Sequence, residues 1–113
     1  MDKNELLREL QLLPERLRQA EETYYKAVAD LENAKFSLQV KKSQLFHSGM
    51  IGGKNEQQRD AEVWQHTHEL QHLVLKYKLD VDRHKVECDY WSNKLQNVRL
   101  VVELILQRTA GIE

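Results

Sequence analysis

Apolar residues recur along the first half of the chain with alternating steps of three and four. Leu10, Leu17, Tyr24, Leu31, Leu38 and Leu45 stand seven apart, and Leu13, Ala20, Ala27, Ala34 and Lys41 each follow by three. That spacing makes the seam of a coiled-coil helix. It stops in the stretch HSGMIGGKN, whose glycines tolerate positive φ and end helices. Asn55 then offers an N-cap, with Gln58 three residues on as its capping-box partner. A second seam follows through Val63, Thr67, Leu70, Val74, Tyr77 and Val81, then His84, Cys88, Trp91, Leu95, Val98, Val102 and Ile105. Pro14 has no amide proton and suits the first turn of a helix. The pattern therefore predicts a short helix over 4–12, a helix over 14–47, a tip loop over 48–54 and a second long helix over 55–109.

A short connection makes two long helices antiparallel neighbours, so the numbers of facing residues sum to a constant. A sum near 101 sets Leu38 on Val63, Leu31 on Leu70, Ala27 on Val74 and Tyr24 on Tyr77, which brings both seams into line. The expected fold is all-α: one domain, an antiparallel two-helix coiled-coil hairpin with a short leading helix.

The second helix also carries an apolar stripe on the side away from its seam, formed by Leu75, Leu79, Val86, Tyr90, Leu100 and Leu104. Its late segment VRLVVELILQ is apolar on most faces and is expected to run past most of the first long helix. A helix that is apolar on opposite sides needs neighbours on both, and one hairpin supplies one. The expectation is self-association into a helical-bundle oligomer, with those six residues at the interface.

Composition narrows the class. One proline, four glycines and 31% charged residues suit long solvent-laced helices. A net charge of −1 creates no global attraction to nucleic acid or membrane. No 18-residue apolar run spans a bilayer, and the N-terminus lacks the apolar core of a signal peptide. The single Cys88 excludes an internal disulfide. A soluble cytoplasmic protein is the expectation. The distribution of charge says more than its total. Residues 33–59 hold Lys35, Lys41, Lys42, Lys54 and Arg59 against Glu56 alone, and His47, Met50 and Ile51 add aromatic and apolar surface. This basic tip is a candidate contact for a protein partner or for nucleic acid. Lysines favoured by the dipole at a helix C-terminus account for the same charges without any ligand.

Residues 68–72 read HELQH, the H-E-x-x-H pattern of zinc peptidases. A catalytic zinc needs three protein ligands and an open position. The next histidine, His84, lies twelve residues beyond His72, about 18 Å along a helix. A longer metalloprotease motif would want glycine and histidine where the chain has Leu75 and Lys78. His68 and His72 are therefore expected on the outer stripe, with no metal, no cofactor and no enzymatic activity; an ion shared between subunits by this pair is the residual metal reading. Tyr24, Tyr77, His84, Trp91 and Cys88 read as seam packing. Trp64 reads as a flank of the seam, with a partner anchor as the alternative.

The turn carrying Gly53, Lys54, Asn55, Glu56 and Arg59 between two charged amphipathic helices resembles small phage and prophage proteins with a GKNE-x-x-R turn, often encoded among replication and recombination genes. The resemblance implies a phage accessory or host-interaction factor in the bacterial or phage-infected host cytoplasm, and it assigns no site residue. The expected function is thus a non-enzymatic, oligomeric helical-hairpin protein that binds an unidentified protein partner. The alternative is a replication or recombination accessory protein that touches nucleic acid through the basic tip. A zinc hydrolase built on HELQH is the remote third.

Overall fold

A computed structural model describes residues 2–112, with side chains as far as Thr109. Two helices account for nearly all of it: α1, Lys3–His47, and α2, Glu56–Ile112. Among the described residues there is no strand, so the chain is an all-α hairpin.

Asp2 caps α1. Its carboxylate accepts the Glu5 amide at 2.8 Å, and its carbonyl accepts the Leu6 amide at 3.1 Å. Asp2 with Glu5 three residues later has the spacing of a capping box, a start that the seam, read from Leu10, does not reveal. The break expected at Pro14 does not occur: residues 4–12 and 14–47 belong to one helix. A proline in a helix interior costs about 3 kcal/mol, because the bond to the carbonyl four residues back is lost. Pro14 lies on the exposed side, while Leu6 and Leu13 are buried and Leu10 and Leu17 half-buried. Burying side chains of this size is worth roughly 1.5–3 kcal/mol each. Four of them straddling the proline outweigh it.

The tip is fixed at both ends by local hydrogen bonds. α1 ends in a Schellman motif: the Met50 amide reaches the Leu45 carbonyl at 3.1 Å and the Gly49 amide reaches Phe46 at 3.3 Å. Gly49 supplies the required left-handed residue, with φ at 75°. α2 starts as its sequence predicts, with Asn55 Oδ1 accepting the Gln58 amide at 2.8 Å. The Gln58 side chain reaches one residue further back than a capping box requires and accepts the Lys54 amide at 3.0 Å. Glu62, a full turn into α2, folds its carboxylate over the loop and accepts the amides of Gly52 and Gly53 at 2.9 and 3.2 Å.

The chain divides into two units. One comprises α1 as far as Tyr25 with α2 from Arg83; the other comprises residues 26–82. In the first, buried Leu6 and Leu13 pack with Leu95 and Val98, and Leu10, Leu17, Trp91, Val102 and Ile105 close around them. The start of α1 therefore covers the late part of α2, which was expected to run on alone. On the exposed side of α1, Arg18 holds Glu15 through two hydrogen bonds and also reaches Glu22. Such i, i+3 and i, i+4 pairs support a helix locally.

In the second unit, Leu31 and Ala34 pack with Val74, and Leu38, Tyr77 and Val81 lie against them. Thr67 is its only fully buried polar residue among the described residues. Its hydroxyl donates to the Val63 carbonyl at 2.6 Å and accepts from Gln71 Nε2 at 2.9 Å. Every seam position named from the sequence is buried or half-buried. One expected pairing, however, differs. Val74 groups with Leu31 and Ala34, and buried Ala27, its expected partner, lies outside that cluster. Val74 thus packs with residues of higher number on α1 than Ala27. The physical reason lies in side-chain direction. Side chains lean toward the N-terminus of their own helix, so in an antiparallel pair contacting residues carry higher numbers than residues at equal backbone height.

Candidate interaction surface

The outer stripe of α2 is open. In the 26–82 unit Leu75 and Leu79 are exposed; in the other unit Val86, Tyr90, Leu100 and Leu104 are exposed. Two valines on one helix show the contrast: Val74 on the seam keeps 9% of its surface in water and Val86 on the outer stripe 68%. The unit that contains both chain ends exposes further leucines, Leu7, Leu12 and Leu106. The sequence reading placed Leu7 and Leu12 on a short helix without assigning them a face, and it counted Leu106 only as part of the apolar segment VRLVVELILQ.

His68 and His72 are exposed on the same side of α2, one and two turns beyond half-exposed Trp64. The Trp64 ring centroid lies 6.1 Å from that of His68 and 5.7 Å from that of His72. His68 Nδ1 sits 3.2 Å from the Gln65 carbonyl, a contact that fits an Nδ1–H donor. Among the described residues no three His, Cys, Asp or Glu side chains converge as a metal-binding group. Trp64 is thus an aromatic ladder with the two histidines on the outer side.

The tip is less basic than its composition suggests. Lys35 is exposed and its ammonium lies 3.4 Å from Glu32. Lys41 and Lys42 are half-buried, as is Ile51, while His47, Met50, Lys54 and Arg59 are exposed. The Glu62 carboxylate is drawn into the loop by two amides. Glu56 and Asp60 line a shallow recess beside Asn55 on the first turn of α2. Acidic groups just outside residues 33–59, namely Glu32, Asp60 and Glu62, therefore stand among the basic ones counted there.

No family model matches the chain, and no curated protein or solved structure does so either. The geometry must therefore carry the functional reading.

Trp91 is half-buried in the first unit. Its indole N–H donates to Glu87 at 2.9 Å, and the Arg16 guanidinium lies over the ring at 5.2 Å. Lys94 approaches the same ring at 5.6 Å. An open recess beside it is bordered by Arg16, Arg83 and His84. Cys88 is half-buried nearby, and burial pushes its thiol pKa up, with Glu21, Asp89 and Glu87 adding repulsion for the thiolate. A thiol held protonated is a poor nucleophile. Among the described residues no helix is long and apolar enough to cross a membrane.

Proposed function

We propose that this protein is a non-enzymatic helical-hairpin interaction protein that self-associates through the outer face of α2 and presents the assembled hairpins to a protein partner. The observation behind this reading is the exposure of Leu75, Leu79, Val86, Tyr90, Leu100 and Leu104 along one helix whose opposite side is already covered by α1. Soluble monomers rarely align so many exposed large apolar side chains on one helix face. Burying each side chain gains about 1.5–3 kcal/mol. Each of the six is half to two-thirds exposed in the single hairpin. Two copies therefore recover about that share of the full gain, enough to offset the roughly 4–15 kcal/mol cost of association. The resemblance of the Gly53–Arg59 turn to phage proteins supports a phage accessory or host-interaction role in a bacterial cytoplasm. The test is sedimentation equilibrium of the full chain at tens of micromolar. The unaltered protein should sediment as an oligomer, and Leu79→Glu with Val86→Glu should sediment as a monomer of unchanged helical content. A monomeric unaltered protein overturns the reading.

A further inference from the structure

The exposed side of α2 carries more than leucines. From Lys76 to Asp89 the charges of α2 run in pairs, all exposed except half-buried Asp80: Lys76 and Lys78, Asp80 and Asp82, Arg83 and Lys85, Glu87 and Asp89. The order is two positive, two negative, two positive, two negative, so reversing the segment exchanges the signs. The midpoint falls between Asp82 and Arg83. We propose that the occupant of this face is α2 of a second copy, antiparallel, related by a two-fold axis through that midpoint, so that facing residue numbers sum to about 165. The proposal rests on the self-association reading and supplies its geometry.

The apolar positions obey the same sum. Leu75 meets Tyr90, Leu79 meets Val86, Trp64 meets Leu100 and Ala61 meets Leu104; all eight positions are exposed. The polar interruptions of the stripe also coincide. Exposed His72 falls opposite exposed Asn93, and exposed His68 opposite exposed Asn97. Imidazole and carboxamide can each donate and accept, so both histidines of HELQH gain hydrogen-bonding partners with no metal.

Charge selects direction. At 100° per residue Lys76, Asp80, Arg83 and Glu87 flank the stripe on one side, and Lys78, Asp82, Lys85 and Asp89 on the other. In an antiparallel pair like flanks meet. Lys76 then faces Glu87 of the second copy and Asp80 faces Arg83, while on the other flank Lys78 faces Asp89 and Asp82 faces Lys85. Every pair has opposite signs, and the two-fold repeats each one. In a parallel pair opposite flanks meet five residues apart, which sets Lys78 beside Arg83 and Asp82 beside Glu87. Like charges so placed set orientation in paired helices. The matched length, residues 61 to 104 of the uninterrupted helix α2, is about 65 Å at 1.5 Å per residue. A strip of that length and one helix diameter wide covers roughly 650–780 Å² per copy, close to the ~800 Å² per partner of a standard specific interface.

The experiment uses the full chain with Cys88→Ser. Leu79→Cys and Val86→Cys proteins are prepared separately, then oxidised in a glutathione buffer alone and after mixing. The mixture should give a disulfide-linked dimer at least tenfold faster than either protein alone, because position 79 faces 86 across the two-fold and not itself. A charge exchange provides the second reading. Lys76→Glu with Lys78→Glu should weaken self-association at least tenfold, as should Glu87→Lys with Asp89→Lys, and mixing the two variants should restore the dimer. Faster linkage within each single variant than in the mixture, or no loss on charge exchange, overturns the register while an oligomer in sedimentation leaves self-association standing. A monomer in sedimentation overturns both.

Discussion

Replacing each tip glycine in turn by alanine separates three physical situations within five residues. At Gly52 an added Cβ meets no atom within 4 Å and φ is not in the left-handed region. Its amide bond to Glu62 is kept, since alanine retains the N–H. Only the unfolded chain loses freedom, so Gly52→Ala should stabilise by about 0.4–1 kcal/mol. Gly49 closes the Schellman motif at φ 75° with open space around it. A side chain there costs about 1–2 kcal/mol, partly offset by the same unfolded-state gain, so Gly49→Ala should destabilise by about 1 kcal/mol. At Gly53 the added Cβ would lie 2.8 Å from the Arg59 amide nitrogen and 2.9 Å from Gln58 Cβ. Backbone of the first α2 turn must then move, and the Asn55 and Gln58 capping bonds move with it. Overpacking costs about 1–3 kcal/mol and a lost cap about 1 kcal/mol more, so Gly53→Ala should destabilise by about 2–4 kcal/mol. Urea unfolding followed by helical circular dichroism measures all three. Protein concentration is held fixed because association shifts apparent stability. The reasoning is refuted if Gly52→Ala costs as much as Gly53→Ala, or if the three variants fall within about 0.3 kcal/mol of one another.

Pro14→Ala should stabilise by about 1–3 kcal/mol in the same assay, since it restores an interior hydrogen bond; a neutral or destabilising result would mean that a helix starts at Pro14 after all. If the tip binds nucleic acid, Lys41→Glu, Lys42→Glu and Lys54→Glu together should abolish binding and flatten its salt dependence, and binding that survives in a gel-shift titration places the contact elsewhere. Cys88 should alkylate with iodoacetamide at pH 8 more slowly in the folded protein than in urea, because burial raises its thiol pKa. The folded state holds that proton more tightly, so the contribution to stability is present below the ordinary thiol range near 8.5 and fades as pH rises through the raised value. Equal rates in the two states would contradict a half-buried seam thiol.

Periodicity alone determined which faces of the two helices are covered. Leu31, Ala34, Val63, Thr67 and Val74 are buried where a three-four spacing places them, and Leu79 and Val86 stay exposed where the second stripe places them. Local chemistry also determined the tip, because Gly49, Asn55 and Gln58 act on hydrogen bonds within a few residues of themselves. The tertiary structure decided three other matters. Whether Pro14 ends a helix depends on a local cost weighed against burial of Leu6, Leu10, Leu13 and Leu17 on a helix about eighty residues later. The axial register follows from the loop geometry and from the lean of side chains, which set how far one seam slides along the other; a heptad repeats every seven residues and fixes a face better than it fixes a height. The charge of the tip turned on Glu62, about ten residues from the amides it binds. Its position on the chain carries no mark of that bond, because a hydrogen bond between residues distant in sequence forms only after the chain has turned back on itself.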